Sequence, residues 1–233
     1  MQIISLELHT RNLSTMRDFY TNTLELPLVE EDSTHFTVRA GHSALTFMQT
    51  DSEVPICHYA FNVPEASFAA SKQWLKQRVP LLLNADQHDE IYFENWNAHS
   101  VYFGDPDGNI GEIIARHTLP ASNEAHSDNH PVLSISEIGI SVDDVINFVN
   151  TVTTKTGMLP YKGSPNPDFT AIGSEKGLLI ISRTGRTWLP ENKVTAQSVP
   201  LRVRFEVQSS AHPLQFEIAG PPYGLTPIIH TDD

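Results

Sequence analysis

Three segments of this chain follow one plan. "SLELHTRNLSTMRDFYTNTLELPLV" from Ser5, "HYAFNVPEASFAASKQWLKQRVPLL" from His58 and "EIGISVDDVINFVNTVTTKTGMLPY" from Glu137 each read as an alternating strand, an amphipathic helix and the Pro-containing start of a second strand. The interval is the same in all three, from Ser5 to Leu26, His58 to Val79 and Glu137 to Met158. Such a repeat means several copies of one small unit, each needing a neighbour to bury its sheet face. Met16, Phe19, Tyr20 and Leu24 fall on one face of the first helix. Phe68, Trp74 and Leu75 do so in the second, which opens with Pro64. Val145, Phe148, Val149 and Val152 line the third, with Asp143 and Asp144 at its start.

Short strands follow each helix. They are "LPLVEED", "HFTVRA" and "SALTFMQ" in the first unit, and "VPLLLNA", "HSVYFGD" and "IGEIIAR" in the second. The third has "FTAIGS" and "GLLIISR". The unit is therefore β-α-β-β-β in tandem, and the fold class is α+β. "HTLPASNEAHSDNHPVLS" is polar and Pro-punctuated and reads as a linker. The tail from Thr187 holds one good alternating strand, "PLRVRFEVQ", and a second in "LQFEI", with no fourth helix.

Composition narrows the partners. Acidic residues outnumber basic ones 28 to 15, and a net charge of −13 argues against nucleic acid or an anionic membrane. One cysteine, Cys57, allows no intramolecular disulfide and fits a reducing cytoplasm. The opening "MQIISLELHT" has neither the basic region of a signal peptide nor a long apolar run. No phosphate-binding Gly loop, G-x-S-x-G elbow or paired-cysteine zinc motif is present.

The stretch "SVYFGDPDGNIGE" poses a chemical question. Pro106 and Gly108 suit a tight turn between two strands. Glu112 then sits in an apolar strand, where a carboxylate is costly to bury without a partner.

"NLSTMRDFY" after the first strand, "YFGDPDGNIGE" before the last and the tandem β-α-β-β-β units resemble the vicinal oxygen chelate superfamily. It includes glyoxalase I, extradiol ring-cleaving dioxygenases, fosfomycin-resistance enzymes and bleomycin-binding proteins. The resemblance covers residues 1 to about 117 well and 134 to about 183 more weakly. It implies that two units pair, their sheets curling into a cup around a divalent metal. On that basis residues 1–117 are expected to pair as one cup, 118–133 to link, and 134–233 to hold the third unit with the C-terminal strands. Ligands in such proteins come from the first and last strands of a unit. Here the matching residues are His58 and Glu112, ligand types suited to Fe(II), Mn(II), Zn(II) or Ni(II). In the first unit they are Ser5 and Thr46, which departs from the family's full ligand pattern.

Alternation puts Ser5, Glu7 and His9 on one face of the first strand. Glu7 or His9 could supply a third ligand. A displacement of roughly 7 or 13 Å along the strand favours Glu7. The alternative is that both line a polar pocket. In dioxygenases of the superfamily a tyrosine matching Tyr102 points at the substrate oxygens. Its phenol could donate a proton there, or it could simply pack. Asn62 and Arg116 share faces with His58 and Glu112 and could recognise an anionic or carbonyl-bearing substrate, although Arg116 near a strand end could equally be solvated. Glu137 occupies the ligand position of the third unit. No carboxylate stands at Leu179–Ile181 opposite it, so no second metal site is expected there. Cys57 should face the helices, His99 should be structural or exposed, and His126 and His130 should be solvated in the linker.

The resemblance implies a metal-dependent enzyme on a small substrate whose oxygens chelate the metal. Ring cleavage of a catechol-like substrate with Fe(II) comes first, with Mn, Ni or Zn as other metals. A glyoxalase-type isomerase or lyase comes second. A non-catalytic drug-binding protein with a degenerate metal site is the reading from another class, and the absent ligands at Ser5 and Thr46 favour it. An unpaired third unit would leave an apolar face and an edge to cover, which predicts a homodimer.

Overall fold

The computed structural model describes residues 1–119, 130–209 and 212–228. The first unit runs β1 (Gln2–Thr10), α1 (Leu13–Asp18), β2 (Leu28–Glu31), β3 (His35–Ala40) and β4 (Ser43–Gln49). The second runs β5 (His58–Asn62), α2 (Phe68–Lys76), β6 (Leu81–Leu82), β7 (Ile91–Phe93), β8 (Ala98–Gly104) and β9 (Ile110–Arg116). The third has β10 (Ser134–Val142), α3 (Val145–Thr156), β11 (Phe169–Ser174) and β12 (Gly177–Arg183). The tail adds β13 (Leu201–Val207), β14 (Leu214–Gly220) and β15 (Gly224–Ile228), the last not anticipated from the sequence. Asp144 caps α3 by accepting from the Asn147 N–H at 3.0 Å. The first helix loosens after Asp18 into a π-helical turn over Phe19–Thr23.

These elements form two mixed sheets. One has the order β15-β14-β13-β1-β4-β3-β2, and the other β11-β12-β10-β5-β9-β8-β6 with β7 on β8. The pairing expected between the first and second units does not occur. The second unit pairs with the third through antiparallel β5 and β10, and the first with the tail through antiparallel β1 and β13. Burial patterns explain the choice. β5 and β9 are buried throughout and β10 nearly so, which suits the middle of a sheet covered on both faces. β13 alternates buried and exposed, and β1 does so over most of its length, so the two share a solvated face. The third unit is therefore paired within the chain through β5, while β11 still ends that sheet, and the unpaired unit behind the expected homodimer does not arise.

In each complete unit the first strand lies parallel to the last, as β1 to β4, β5 to β9 and β10 to β12. The intervening helix makes that crossover possible. The tail has no helix and meanders antiparallel through β13, β14 and β15. One apolar core joins both sheets and the helices, with Leu6, Phe47 and Val203 from one sheet, Phe61, Ile113 and Ile138 from the other, and Met16, Leu75 and Val149 between. Cys57 is in that core. No helix among the described residues is long and apolar enough to cross a membrane.

The DPDGN turn ties the first unit to the second. Tyr20 donates from its hydroxyl to Asp105 Oδ2 at 2.9 Å and meets the Tyr59 hydroxyl. Asp105 also accepts from the Asn109 backbone N–H (2.9 Å) and side-chain amide (2.8 Å). Burial pushes the Asp105 carboxyl up to about 6, against the hydrogen bonds from Asn109 and Tyr20. The expected linker lies mostly outside the described residues, His126 included. His130 is not solvated as expected: its Nε2 lies 2.8 Å from the Leu24 carbonyl and its ring is edge-on to Trp74.

Replacing Tyr20 by Phe removes one buried donor while keeping the ring. Stability should fall by about 1–3 kcal/mol, read from the urea midpoint. An unchanged midpoint would show that the turn needs no anchor in the first unit.

Candidate metal centre

Sheet register brings three ligand types together. One cross-strand row runs Tyr102, Glu112, Ala60, Glu137 and Leu178 over β8, β9, β5, β10 and β12. His58 is two residues from Ala60 on the same face, paired with Ile110 of β9. Ala60 leaves room for a carboxylate on either side. A β-bulge between Ile135 and Glu137 decides the rest. Strict alternation would set Ser136 opposite Ala60 and turn Glu137 into the core. The extra residue puts Glu137 opposite Ala60 instead, a use of bulges common beside functional sites.

His58 Nε2 lies 3.5 Å from Glu112 Oε2 and 4.0 Å from Glu137 Oε2. One ligand atom from each of the three residues falls within 4.8 Å of the others, and all three residues are buried. His58 Nδ1 is 3.1 Å from the Ile110 carbonyl. That bond assigns the ring proton to Nδ1 and leaves the Nε2 lone pair facing the carboxylates. Burial pushes the His58 pKa down to about 4, with the Ile110 hydrogen bond opposing and the charge of Arg186 adding to the effect. Burial, then the charge of Glu137, holds the Glu112 carboxyl well above its ordinary range. Burial raises Glu137 as well, with Arg116 opposing.

Arg116 belongs to this cluster and is fully buried, not solvated. It donates from Nη2 to Glu137 Oε1, and from Nη1 to Asn62 Oδ1 (2.9 Å) and Ser136 Oγ (2.5 Å). One guanidinium thus grips both residues of the bulge. Two carboxylates facing one guanidinium and a neutral imidazole leave one negative charge in excess in a dry site, which is costly unless the carboxylates are protonated or a cation binds. The donor set, one imidazole nitrogen and two carboxylates, fits a divalent metal.

The cluster opens into a cavity of about 420 Å³. Tyr102 lines it beside Glu112, and burial, then Glu112 and Glu137, holds its phenol protonated far above the ordinary range. Phe93 at the end of β7, Trp96 just beyond it, and Arg186, Trp188 and Leu189, from the loop after β12, close it over. Gly139 makes the loop's approach possible, since a Cβ there would lie 2.9 Å from Cη2 of Trp188. The Trp188 ring stands 5.4 Å from that of His58.

The other candidates fall elsewhere. Glu7 cannot be the third ligand. It lies on the other sheet, 3.7 Å from Arg202. Ser5 and Thr46 are on that sheet too, and Thr46 shares a 2.9 Å hydrogen bond with Thr37. His9 borders a separate depression with Arg11 and Asn109. Asn62 and Arg116 do not line the cavity but support its floor from beneath. His99 is half-buried, with Nδ1 2.6 Å from His117 Nε2. Glu137, at the ligand position of the third unit, forms no second site but joins His58 and Glu112. Arg186 and Trp188 lie outside any motif, and only the loop's path reveals them and the part played by Gly139.

No family model matches the sequence, and no curated protein matches it. Among solved structures, a candidate dioxygenase from Bacillus subtilis subsp. subtilis str. 168 is similar over 94% of this chain and 81% of its own, at 15% identity and TM-score 0.61. A lactoylglutathione lyase from Agrobacterium tumefaciens matches 48% of this chain and 92% of its own, at 21% identity and TM-score 0.40. A glyoxalase/bleomycin resistance protein/dioxygenase from Alicyclobacillus acidocaldarius matches 50% and 92%, at 18% identity and TM-score 0.41. At these identities the likeness is one of fold. The chain has the vicinal oxygen chelate fold.

Two outcomes follow for metal binding. Glu137→Gln or His58→Ala should weaken Mn(II) binding at least ~10-fold, while Glu7→Gln leaves it unchanged, as read by electron paramagnetic resonance of free Mn(II). Equal loss in Glu7→Gln would move the site to the other sheet. Binding should also release protons at pH values above the ordinary carboxylate range, because the carboxyls hold theirs beyond it while His58 has none to lose above about pH 4. The release, measured by calorimetry in buffers of different ionisation enthalpy, should shrink as pH rises. Release titrating with an ordinary histidine near pH 6.5 would contradict the assignment.

Proposed function

We propose that this chain is a metal-dependent enzyme of the vicinal oxygen chelate type, acting on a small substrate with adjacent oxygens. The supporting observation is the convergence of His58, Glu112 and Glu137 at the base of a closed-over cavity. A divalent metal bound there supplies Lewis acidity and a point for two substrate oxygens to chelate. His58, held by the Ile110 carbonyl, presents a fixed nitrogen. Arg116 fixes the orientation of Glu137. Trp96, Phe93 and Trp188 exclude water and favour a flat apolar body.

Cleavage of a catechol ring by dioxygen is the first reaction. Both oxygen atoms enter the product, so no outside reductant is needed. Tyr102 is neutral and next to Glu112, so its phenol can donate a hydrogen bond or proton to an oxygen that gains charge. A glyoxalase-type isomerisation is the second reading, and one observation favours it. Two carboxyls with raised proton affinity stand in one cup, and either can carry a proton between neighbouring carbons.

The test is a panel of catechols and 2-oxoaldehyde adducts with anaerobically added Fe(II), Mn(II), Ni(II) or Zn(II). Oxygen uptake with a catechol supports ring cleavage, isomer formation without oxygen uptake supports the second reading, and silence throughout opposes both. With an active pair in hand, Tyr102→Phe should lower turnover by ~100-fold while leaving metal content unchanged. Undiminished turnover would reduce Tyr102 to a packing residue.

A further inference from the structure

The cavity holds a second cation that the metal cluster does not use. Arg186 lines its wall and is half-buried. Among the described residues no carboxylate lies within ion-pair distance of it. Asp168, whose charge reaches it, is taken by Arg183 at 2.7 Å. Arg186 is nevertheless held in place. Its guanidinium lies over the Phe169 ring at 4.8 Å, and Nη1 donates to the Thr187 carbonyl at 3.3 Å. Its backbone is pinned in a two-stranded excursion, where Ala196 N–H donates to the Arg186 carbonyl at 2.7 Å and Thr187 bridges Thr195. Arg116 gives the contrast, since its charge is spent on Glu137 inside the protein.

We infer that Arg186 forms an anion-receiving subsite, and that the substrate carries a carboxylate on a planar aromatic body. The identity of the chelated end rests on the proposed function; the carboxylate end does not. Charge arithmetic points the same way. Glu112, Glu137 and Arg116 together carry one negative charge, so a divalent cation leaves one positive charge and Arg186 makes it two. Glu94 at the rim is exposed and screened. A positively charged pocket with its cations pre-placed favours an anion, and a planar guanidinium matches a carboxylate with two parallel hydrogen bonds. Phe93, Trp96 and Trp188 supply apolar walls for one or two fused rings. Arg186 and His58 line the same cavity, so one ligand can span both.

Calorimetric titration with 2-naphthoate and its neutral isostere 2-naphthamide tests the subsite without a vicinal diol. Both the metal-free and the Mn(II)-supplemented protein serve. The acid should bind at least ~10-fold more tightly than the amide, and more so with Mn(II), in line with a charge-assisted pair. Arg186→Gln should abolish the preference, and Arg186→Lys should keep part of it, with circular dichroism confirming an unchanged fold. No preference in either protein form, no binding of 2-naphthoate, or a preference that survives Arg186→Gln would overturn the inference. A separate titration with 3,4-dihydroxybenzoate and benzoate isolates the metal. If Mn(II) fails to favour the diol while the naphthoate preference stands, the metal reading fails and the anion subsite remains.

Discussion

Two carboxylates buried on the strands either side of β5, with one guanidinium beside them, set the terms for the rest of this molecule. Glu112 and Glu137 flank Ala60 and face a neutral His58, and among the described residues Arg116 is the one cation ion-paired to either carboxylate. Such an arrangement costs several kcal/mol per unpaired ion in a dry interior. It persists because the sheet around it is over-determined. β5, β9 and β10 are buried on both faces and cannot shift register without exposing apolar side chains. The stability of the core therefore holds a site that would otherwise relax by separating its charges.

The same logic separates the two sheets. Both join two halves through an antiparallel pair, and both carry a register shift near the junction, at Ile3/Ser5 and at Ile135/Glu137. In the first sheet the equivalent face holds Ser5, Glu7, Thr46, Arg202 and Arg204, partly exposed, with Glu7 beside Arg202 and Arg204 on Glu217. Glu7 and Arg202 neutralise one another there in reach of water. In the second, loops close the face over, and the charges lose their solvent. One architecture thus yields a solvated ion-pair surface and a buried ligand cluster, depending on whether a loop covers it.

That cover comes from a segment with little periodicity. The loop after β12 brings Arg186, Trp188 and Leu189 across the cavity, and Gly139 lets it approach. On the far side the DPDGN turn is locked to the first unit by Tyr20, at the β8–β9 hairpin that carries Tyr102 and Glu112. The first unit supplies no ligand but braces the hairpin that does.

Much of this was legible in the chain. Alternation and helical spacing predicted the three units, the strands β13 and β14, and the cost of burying Glu112, because these depend on neighbours close in sequence. His58 and Glu112 could be matched by motif because both lie at fixed positions within one unit. Which units pair could not be read in this way. Similar strands offer several partners, and the choice turns on burial of both faces, a property of the assembled sheet. The third member of the cluster was hidden for the same reason. Glu137 comes from another unit, and a bulge of one residue turns it from the core into the cavity. Sequence determined which side chains could serve as ligands. Tertiary structure decided which of them meet, because a register shift of one residue reverses the face on which every later side chain lies.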